Sequence, residues 1–422
     1  MHYREQSNNN LILLIVVLAM FAFLIRVDFI YYILYLCIGI YLWNWWAIRQ
    51  RMRKLLVERR FLDHAFWGDQ VEVELVVKND SRLPIPWIEV YESLALELGA
   101  QQPVNHVFAL SPREERIFAY DFHARRRGYY RIGPTRITTG DLFGLSREAV
   151  NVLAADYLTV YPRIYSLHQL GLSSRLPFGT IGSKERLFED PARPVGVRDF
   201  RSGDSIRQIN WKVSAHTRNL VVKTLQPAIS LETIIILNLA RSDYSRWSRS
   251  TIMEWSIEVA ASIAAYLNRH KQAVGLMANG IDPLHGESGL LRFDDRTGRL
   301  MLNKDRNPQP MQPIPPKPSR ANLIKLLEQL ARIESSGSIE FIPWLTSKPI
   351  PLSWGGSAVV ITPTADVTLC NHLHRLVRQG INPTLMVTER HSSFPETMER
   401  SRRLGFKALQ VLERKDLDQH AR

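Results

Sequence analysis

Cysteine is nearly absent. Cys37 lies in an apolar run and Cys370 far from it, so neither a disulfide framework nor a four-thiolate zinc site can be built, which agrees with a reducing compartment. Several fingerprints are missing as well. The chain holds no Gly-x-x-x-x-Gly-Lys phosphate loop, no Gly-x-Gly-x-x-Gly turn, no His-Glu-x-x-His pair and no Gly-x-Ser-x-Gly elbow, so ATPase and dehydrogenase readings lose their support. Cys370 stands close to His372 and His374, but residues two apart on a helix point away from one another, so a nucleophile and base pair is not expected there. Acidic residues are in the minority, 41 Asp and Glu against 54 Lys and Arg, which leaves a net charge of +13.

What the chain does have is two long apolar runs near its start. Leu11 to Ile25 is uninterrupted, and Phe29 to Ile48 follows after Arg26, Val27 and Asp28. At about 1.5 Å per residue the second run reaches roughly the 30 Å of a bilayer core, while the first must recruit Asn8 to Asn10 or turn residues to do so. Tyr31 and Tyr32 at one end and Trp43, Trp45 and Trp46 at the other resemble interfacial aromatic belts. A cleaved signal peptide is disfavoured by the weakly basic start, the lack of a small-residue cleavage site and the immediate second run. Arg49, Arg51, Arg53, Lys54, Arg59 and Arg60 directly follow it, so the positive-inside rule places both termini and the soluble bulk in the cytoplasm. This basic cluster is expected to lie against anionic lipid head groups, which accounts for part of the net charge without nucleic acid.

A β signal occupies the next hundred residues. Val71, Val73, Leu75 and Val77 alternate with Glu72, Glu74, Val76 and Lys78 before an Asn79, Asp80, Ser81 turn, the period of a half-buried strand. Runs at Trp87 to Leu94, Glu115 to Phe122, Tyr129 to Ile132 and Tyr157 to Tyr161 are separated by Pro and Gly, which suggests a small immunoglobulin-like β-sandwich. Within it Arg125, Arg126, Arg127, Arg131 and Arg136 interleave with Tyr129 and Tyr130. Phosphate contacts with base stacking would suit that pattern, but a solvated strand face turned to lipid or an acidic partner is the better reading, so nucleic acid is disfavoured.

Beyond Lys223 the pattern becomes α/β. Thr233 to Leu239 is a continuous apolar strand, Ile252 to Leu267 has helical apolar spacing, and strands at Ala273 to Ala278, Ala358 to Ile361, Thr384 to Val387 and Ala408 to Leu412 alternate with helices near Ala321 to Ile333, Val367 to Gln379 and Phe394 to Leu404. A mostly parallel sheet flanked by helices is expected. Asp282 to Pro318, ending in the Pro-rich NPQPMQPIPPKP, is expected to be an insertion with an exposed linker.

Between these regions lies DFRSGDSIRQINWKVSAHTRNLVVK, Asp199 to Lys223. Gly203 before Asp204 suggests a turn feeding a helix N-terminus. On that helix Ile206, Ile209 and Val213 would share one face, and Arg207 would stack on Trp211 four residues on. The pattern of Arg198, Gly203, Asp204, Arg207, Ile209, Trp211, Ser214 and Ala215 resembles the signature of the family catalogued as domain of unknown function 58. The stretches Arg125 to Glu148 and Val160 to Ile164 are similar to the family pattern too. His216 stands where that signature usually has Arg.

The resemblance implies that the signature precedes a von Willebrand factor A-like domain. The expected architecture is then multidomain: a two-helix transmembrane hairpin with its basic segment (1–60), an all-β immunoglobulin-like sandwich (61–165), a signature linker (166–230) and a von Willebrand factor A-like α/β domain with a mostly parallel sheet (231–422, insertion 282–318). Such domains often hold Mg²⁺ after the first strand through an Asp-x-Ser-x-Ser loop. Here the positions are Asn238, Ala240 and Ser242, with Pro363 after Thr362, so only Ser242, Asp243 and Thr362 or Asp366 remain as donors. No metal or other cofactor is expected. The resemblance further implies a bacterial inner-membrane scaffold or adaptor, without enzymatic activity, that works with a MoxR-type AAA+ ATPase and sometimes with transglutaminase-like membrane proteins. Arg198, Asp199, Gly203, Asp204, Arg207, Trp211, Lys212 and His216 would then be its interdomain clasp or its partner surface. A divalent-metal-dependent binding or hydrolase domain and a nucleic-acid-binding membrane protein are the competing classes.

Overall fold

The computed structural model describes residues 10–25, 27–93, 104–140, 147–170, 172, 189–201, 209–227, 232–284, 293–294, 299–300, 310–335, 337 and 339–412. The chain forms two compact units: unit 1 comprises Met1–Arg163, Asp282–Gln309 and Leu327–Glu334, and unit 2 comprises Ile164–Ile281, Pro310–Leu326 and Ser335–Arg422.

Unit 1 begins with two apolar helices, α1 (Asn10–Ile25) and α2 (Asp28–Arg53). Among the described residues only α2 is long and apolar enough to cross a membrane; the 16 residues of α1 are too few at about 1.5 Å each. Asp28 in the first turn of α2 and Arg51 and Arg53 in its last complement the helix dipole. Among the described residues ten strands follow: β1 (Leu55–Arg60), β2 (His64–Phe66), β3 (Gln70–Asn79), β4 (Ile85–Glu92), β5 (Val104–Leu110), β6 (Glu115–His123), β7 (Gly128–Ile132), β8 (Thr135–Gly140), β9 (Arg147–Leu153) and β10 (Asp156–Tyr161). They make three sheets, β1-β3-β6, β2-β10-β7 and β5-β4-β8-β9. Alternation puts Val71, Val73, Leu75 and Val77 on one face of β3, and that face meets two cores in succession along the strand. Val71 and Val73 pack with Phe122, Tyr130 and Leu158, while Leu75 and Val77 pack with Leu55, Ile88 and Ile137.

Two basic residues expected at the surface are inside. Arg59 was placed against lipid by its position in the run after α2, but it lies on β1 in phase with Leu55, and its side chain is 0% exposed. Its Nε and Nη2 donate to Glu92 Oε1 at 2.9 and 2.6 Å, Nη2 donates to Thr135 Oγ1 at 2.9 Å, and Nη1 pairs with Asp156. Thr135 in turn donates to the second Glu92 oxygen at 2.6 Å. Gly133, at φ +83°, lets the guanidinium pass over a backbone where a Cβ would collide with it. Arg59 thus ties β1 to the ends of β4, β8 and β10, and the strand period outweighs the charge pattern.

Arg127 departs from the expected solvated face in the same way. It is 4% exposed, and Nη1 donates to the carbonyls of Leu330, Ala331 and Ile333 at 2.8, 3.0 and 3.2 Å. Arg131 lies over the Phe293 ring at 5.4 Å, within a cluster in which Tyr129 stacks on Tyr157. The Arg125–Arg136 run is therefore divided between interior and surface. Replacing Arg127 with Met should cost about 2 kcal/mol, because a partly buried cation on helix C-terminal carbonyls reaches that magnitude. Thermal unfolding checks this, and the lysine variant should recover part of the loss.

Unit 2 opens with β11 (Glu189–Asp199), α3 (Trp211–Thr217) and β12 (Val221–Pro227), and continues with β13 (Glu232–Leu237), α4 (Arg249–Arg269), β14 (Ala273–Ala278), β15 (Ile314–Lys317), α5 (Arg320–Arg332, its end in unit 1), α6 (Phe341–Ser347), β16 (Ser357–Thr362), α7 (Val367–Arg378), β17 (Asn382–Val387), α8 (Phe394–Arg403) and β18 (Lys407–Gln410). Six of these strands form one sheet in the order β15-β14-β13-β16-β17-β18, parallel except for β15 at the edge. Numbered within the sheet this is 3-2-1-4-5-6, the order of doubly wound folds. One face packs Ile234, Ile236, Ala358 and Val360 against α6 and α7 residues such as Phe341, Trp344 and Leu373. Burial on both faces is what makes β13 and β16 continuous apolar runs. Each fully buried Ile or Val there contributes about 1.5–3 kcal/mol.

The Pro-rich end of the expected insertion is not an exposed linker. Ile314–Lys317 forms β15, with Pro315 and Pro316 on an edge strand where a missing N–H is tolerated, and Met311 just before it is buried.

Candidate functional site

The signature segment folds differently from its helical reading. Gly203, Asp204 and Arg207 lie outside the described residues. Ile209 forms a β-bridge with Val222, and α3 starts only at Trp211, capped by Asn210, whose Oδ1 accepts from Val213 N at 3.3 Å. Ile209 and Asn210 are therefore not part of a helix, and the expected stacking of Arg207 on Trp211, like Ile206, lies outside the described residues. Asn is among the preferred N-cap residues, and here it opens α3.

A small buried seam holds the segment together. Asn210 N donates to Val221 O at 2.9 Å and Val221 N to Ser214 Oγ at 2.9 Å, with Ile209 and Val222 buried beside them. Arg198 and Asp199 end β11 opposite Val222 and Val221, and both are exposed. The outer face of α3 carries Trp211, 64% exposed, with Lys212 and His216, which share a face four residues apart.

The second feature is the crevice at the carboxyl ends of β13 and β16. Sheet order reverses there, the place where doubly wound folds bind ligands. Asn238, just beyond β13, is the hub. Its Oδ1 accepts from Ala240 N at 2.9 Å, which fixes the amide's orientation, and its Nδ2 donates to Asp243 Oδ2 at 2.8 Å and Thr362 Oγ1 at 3.1 Å. Ser242 Oγ donates to the other Asp243 oxygen at 2.7 Å, and Thr362 Oγ1 donates to Thr364 O at 2.8 Å. Beneath them the buried Tyr244 hydroxyl donates to Asn238 O at 2.5 Å, and burial pushes its phenol well above the usual range. Asn279, beyond β14, accepts from Leu239 N at 2.6 Å and donates to Ile339 O at 3.1 Å.

These residues do not fit Mg²⁺. Such an ion demands near-octahedral oxygen ligation at about 2.1 Å. Asp243 is the sole carboxylate in the network, both its oxygens and the Thr362 hydroxyl already have partners, and Asn238 turns an N–H₂ donor toward them. Asp366 is spent elsewhere, capping α7 by accepting from Leu369 N at 2.8 Å. It lies on the wall of a cleft of about 350 Å³ together with His391, Glu396 and Arg400. Among the described residues there is no group of three or more His, Cys, Asp or Glu that could hold an ion. Cys370 is buried in the core, which raises its thiol pKa, and His374 Nδ1 donates to Leu404 O at 2.9 Å.

Two residues of this site were not singled out in the sequence. Trp247, 99% exposed, belongs to the loop between the Asn238 network and α4. Its signal is a large apolar residue without periodic partners in Ser-Arg-Trp-Ser-Arg. Asn279 signals itself as a polar residue directly after an apolar strand.

Comparison with known proteins bears on this stretch. The "Uncharacterized protein YeaD" of Bacillus subtilis (strain 168) is 23% identical over 219 residues, 50% of this chain and 52% of that protein. The chain thus spans about half the length of this curated relative. Among solved structures, the CARDB domain of the PF1109 protein from Pyrococcus furiosus, described in complex with di-metal ions, is 24% identical over 25% of this chain and 91% of that domain, with a TM-score of 0.20. A β-glucosidase from Listeria innocua is 14% identical over 25% of this chain and 16% of its own, with a TM-score of 0.16. Neither score carries an argument about fold or function. The family model described as Protein of unknown function DUF58 matches residues 196–286, the stretch that contains α3, the Asn238 network after β13 and Trp247.

Proposed function

We propose that this chain is a membrane-anchored, non-enzymatic scaffold or adaptor. The observation that carries this reading is the exposure of Trp211 and Trp247, at 64% and 99%, inside the stretch that matches the family model. Trp and Arg dominate the energetics of protein interfaces, and a fully exposed Trp has no folding role to account for it. At the carboxyl ends of β13 and β16, where a doubly wound sheet would hold a small ligand, Asn238, Asp243 and Thr362 are bonded to one another. With Arg127 spent on carbonyls and Arg131 on an aromatic ring, the basic run offers few cations to a nucleic acid.

In this reading α2 crosses a bacterial inner membrane by itself and α1, too short alone, crosses with the help of the residues that flank it, a two-pass anchor with both termini cytoplasmic. Unit 1 is an immunoglobulin-like sandwich, and unit 2 is a von Willebrand factor A-like domain, whose 3-2-1-4-5-6 order with an antiparallel edge strand favours it. The partner is a MoxR-type AAA+ ATPase, with a transglutaminase-like membrane protein as a further component. That identity rests on the resemblance of the signature residues.

The test is crosslinking in intact cells, gentle detergent extraction, purification through a C-terminal tag and mass spectrometry. Trp211→Ala should change stability by less than about 0.5 kcal/mol, as expected for an exposed position, and should lose an AAA+ ATPase that the parent retains. Absence of any AAA+ ATPase from the parent sample would overturn the partner assignment. A large drop in melting temperature for Trp211→Ala would make it a clasp rather than a surface.

A further inference from the structure

We infer that the Asn238 carboxamide is a built-in substitute for a divalent cation at the sheet's switch point, and that this one side chain is what keeps the site independent of metal. The inference does not depend on the adaptor reading.

A divalent cation at this point would act as a bridge between chain segments. It would draw together oxygen donors from the loop after β13 and from the end of β16. Asn238 Nδ2 performs that task, joining Asp243 Oδ2 at 2.8 Å to Thr362 Oγ1 at 3.1 Å. The orientation of the amide is settled by its other end. Ala240 N–H donates to Oδ1 at 2.9 Å, so the N–H₂ group can face nothing but the two oxygens. Asn238 itself is buried, as is Thr362, so the bond between them forms away from water, where electrostatic interactions are strengthened, while Asp243 is half-buried. The neutral carboxamide offers partial positive charge to one carboxylate, and one carboxylate is all the network contains. Ser242 Oγ already lies against Asp243 Oδ1 at 2.7 Å, so a second hydroxyl oxygen stands in the same cluster.

An isosteric change should therefore reverse the chemistry. Asn238→Asp replaces the donor by an acceptor at almost unchanged volume and sets two carboxylates about a hydrogen bond's length apart, beside the hydroxyls of Ser242 and Thr362. Like charges at that separation repel unless a proton or a cation lies between them. Two carboxylates, two hydroxyls and water make an oxygen set that Mg²⁺ or Mn²⁺ accepts.

The full chain in detergent, purified through a tag without histidine, is titrated with Mn²⁺ while the electron paramagnetic resonance signal of the free ion is followed, and melting is recorded in EDTA and in excess Mn²⁺. The parent should leave Mn²⁺ free and melt at the same temperature in both media. Asn238→Asp should melt lower in EDTA, take up one equivalent of Mn²⁺ and regain at least about 4 °C with it. The swapped pair Asn238→Asp with Asp243→Asn should melt near the parent in EDTA and take up no Mn²⁺, because donor and acceptor have only exchanged places. This variant keeps the test decisive if the single substitution fails to fold. Parent uptake of Mn²⁺ that is lost on Asp243→Asn, a single variant indifferent to Mn²⁺, or a swapped pair no more stable than the single variant would each overturn the inference.

Discussion

Replacing Arg59 with methionine should destabilise unit 1 by about 3–5 kcal/mol, the cost of removing one partner from a buried ion pair. For a unit of this size that is a fall in melting temperature of about 6–20 °C, read by thermal unfolding of the full chain in detergent. The loss is large because of what stays behind. Glu92 is fully buried, its oxygens accept from Arg59 and Thr135, and without the guanidinium one carboxylate oxygen loses two charge-assisted bonds at once. Asp156, half exposed, can turn to water, so its share is small. The double variant Arg59→Met with Glu92→Gln should recover more than half of the loss, since no buried charge then lacks its counterion.

The pH dependence has a definite sign. Burial raises the Glu92 pKa above its ordinary value, and Arg59 pulls it back. A carboxyl with a raised pKa in the folded state binds its proton more tightly folded than unfolded, so its contribution to stability is fully present below the unfolded pKa and is lost as pH rises through the folded one. Without Arg59 the folded pKa rises further. The gap between parent and Arg59→Met should therefore be smallest in acid and widen as pH climbs through the raised Glu92 pKa. A gap that is constant across that range would mean that packing, not charge, makes Arg59 necessary.

Arg59 also shows where the sequence stops being legible. Its neighbours Arg49 to Arg60 read as one basic run, and charge count cannot tell which member falls on the inward phase of a strand that begins only two residues after a helix ends. Long periodic elements were readable: β3, β13, α4, α7 and the alternation of unit 2 follow from period 2, continuous apolar runs and period 3.6. Short or half-polar strands such as β1, β2, β5, β8 and β9 were not, because so few apolar positions leave no clear period, and β2 in addition pairs with the distant β10. At the candidate site, the lack of the carboxylate and hydroxyl pattern around Asn238 was visible in the residues themselves. The use made of the Asn238 amide was not, since Thr362 lies 124 positions away. α3 starts after Asn210 because Ile209 is held in a bridge to Val222, a tertiary contact that the neighbouring residues do not announce.

Gly275→Val should cost about 3 kcal/mol and detach the edge of the unit 2 sheet while leaving its centre intact. A Cβ at Gly275 would stand 2.6 Å from Ile314 O and 2.8 Å from Pro316 N, and both are backbone atoms that cannot rotate aside. The β14–β15 register slips between Val274 and Leu276, so the strand carrying Pro315 and Pro316 crosses closest over the one residue without a side chain. Pushing it outward also strains the Asn322 amide, which donates to Val274 O at 2.8 Å and Pro315 O at 3.4 Å, and it opens the pocket of the buried Met311. Amide hydrogen exchange should therefore quicken over residues 310–322, while β13 and β16, paired on both sides within the sheet, keep their protection. Gly196→Ala is the control, since nothing stands within 4 Å of a Cβ there, and it should shift stability by less than about 0.5 kcal/mol. Uniform loss of protection across all six strands would show that β15 is an integral part of the core and that the proline-rich strand contributes to the folding of the whole sheet.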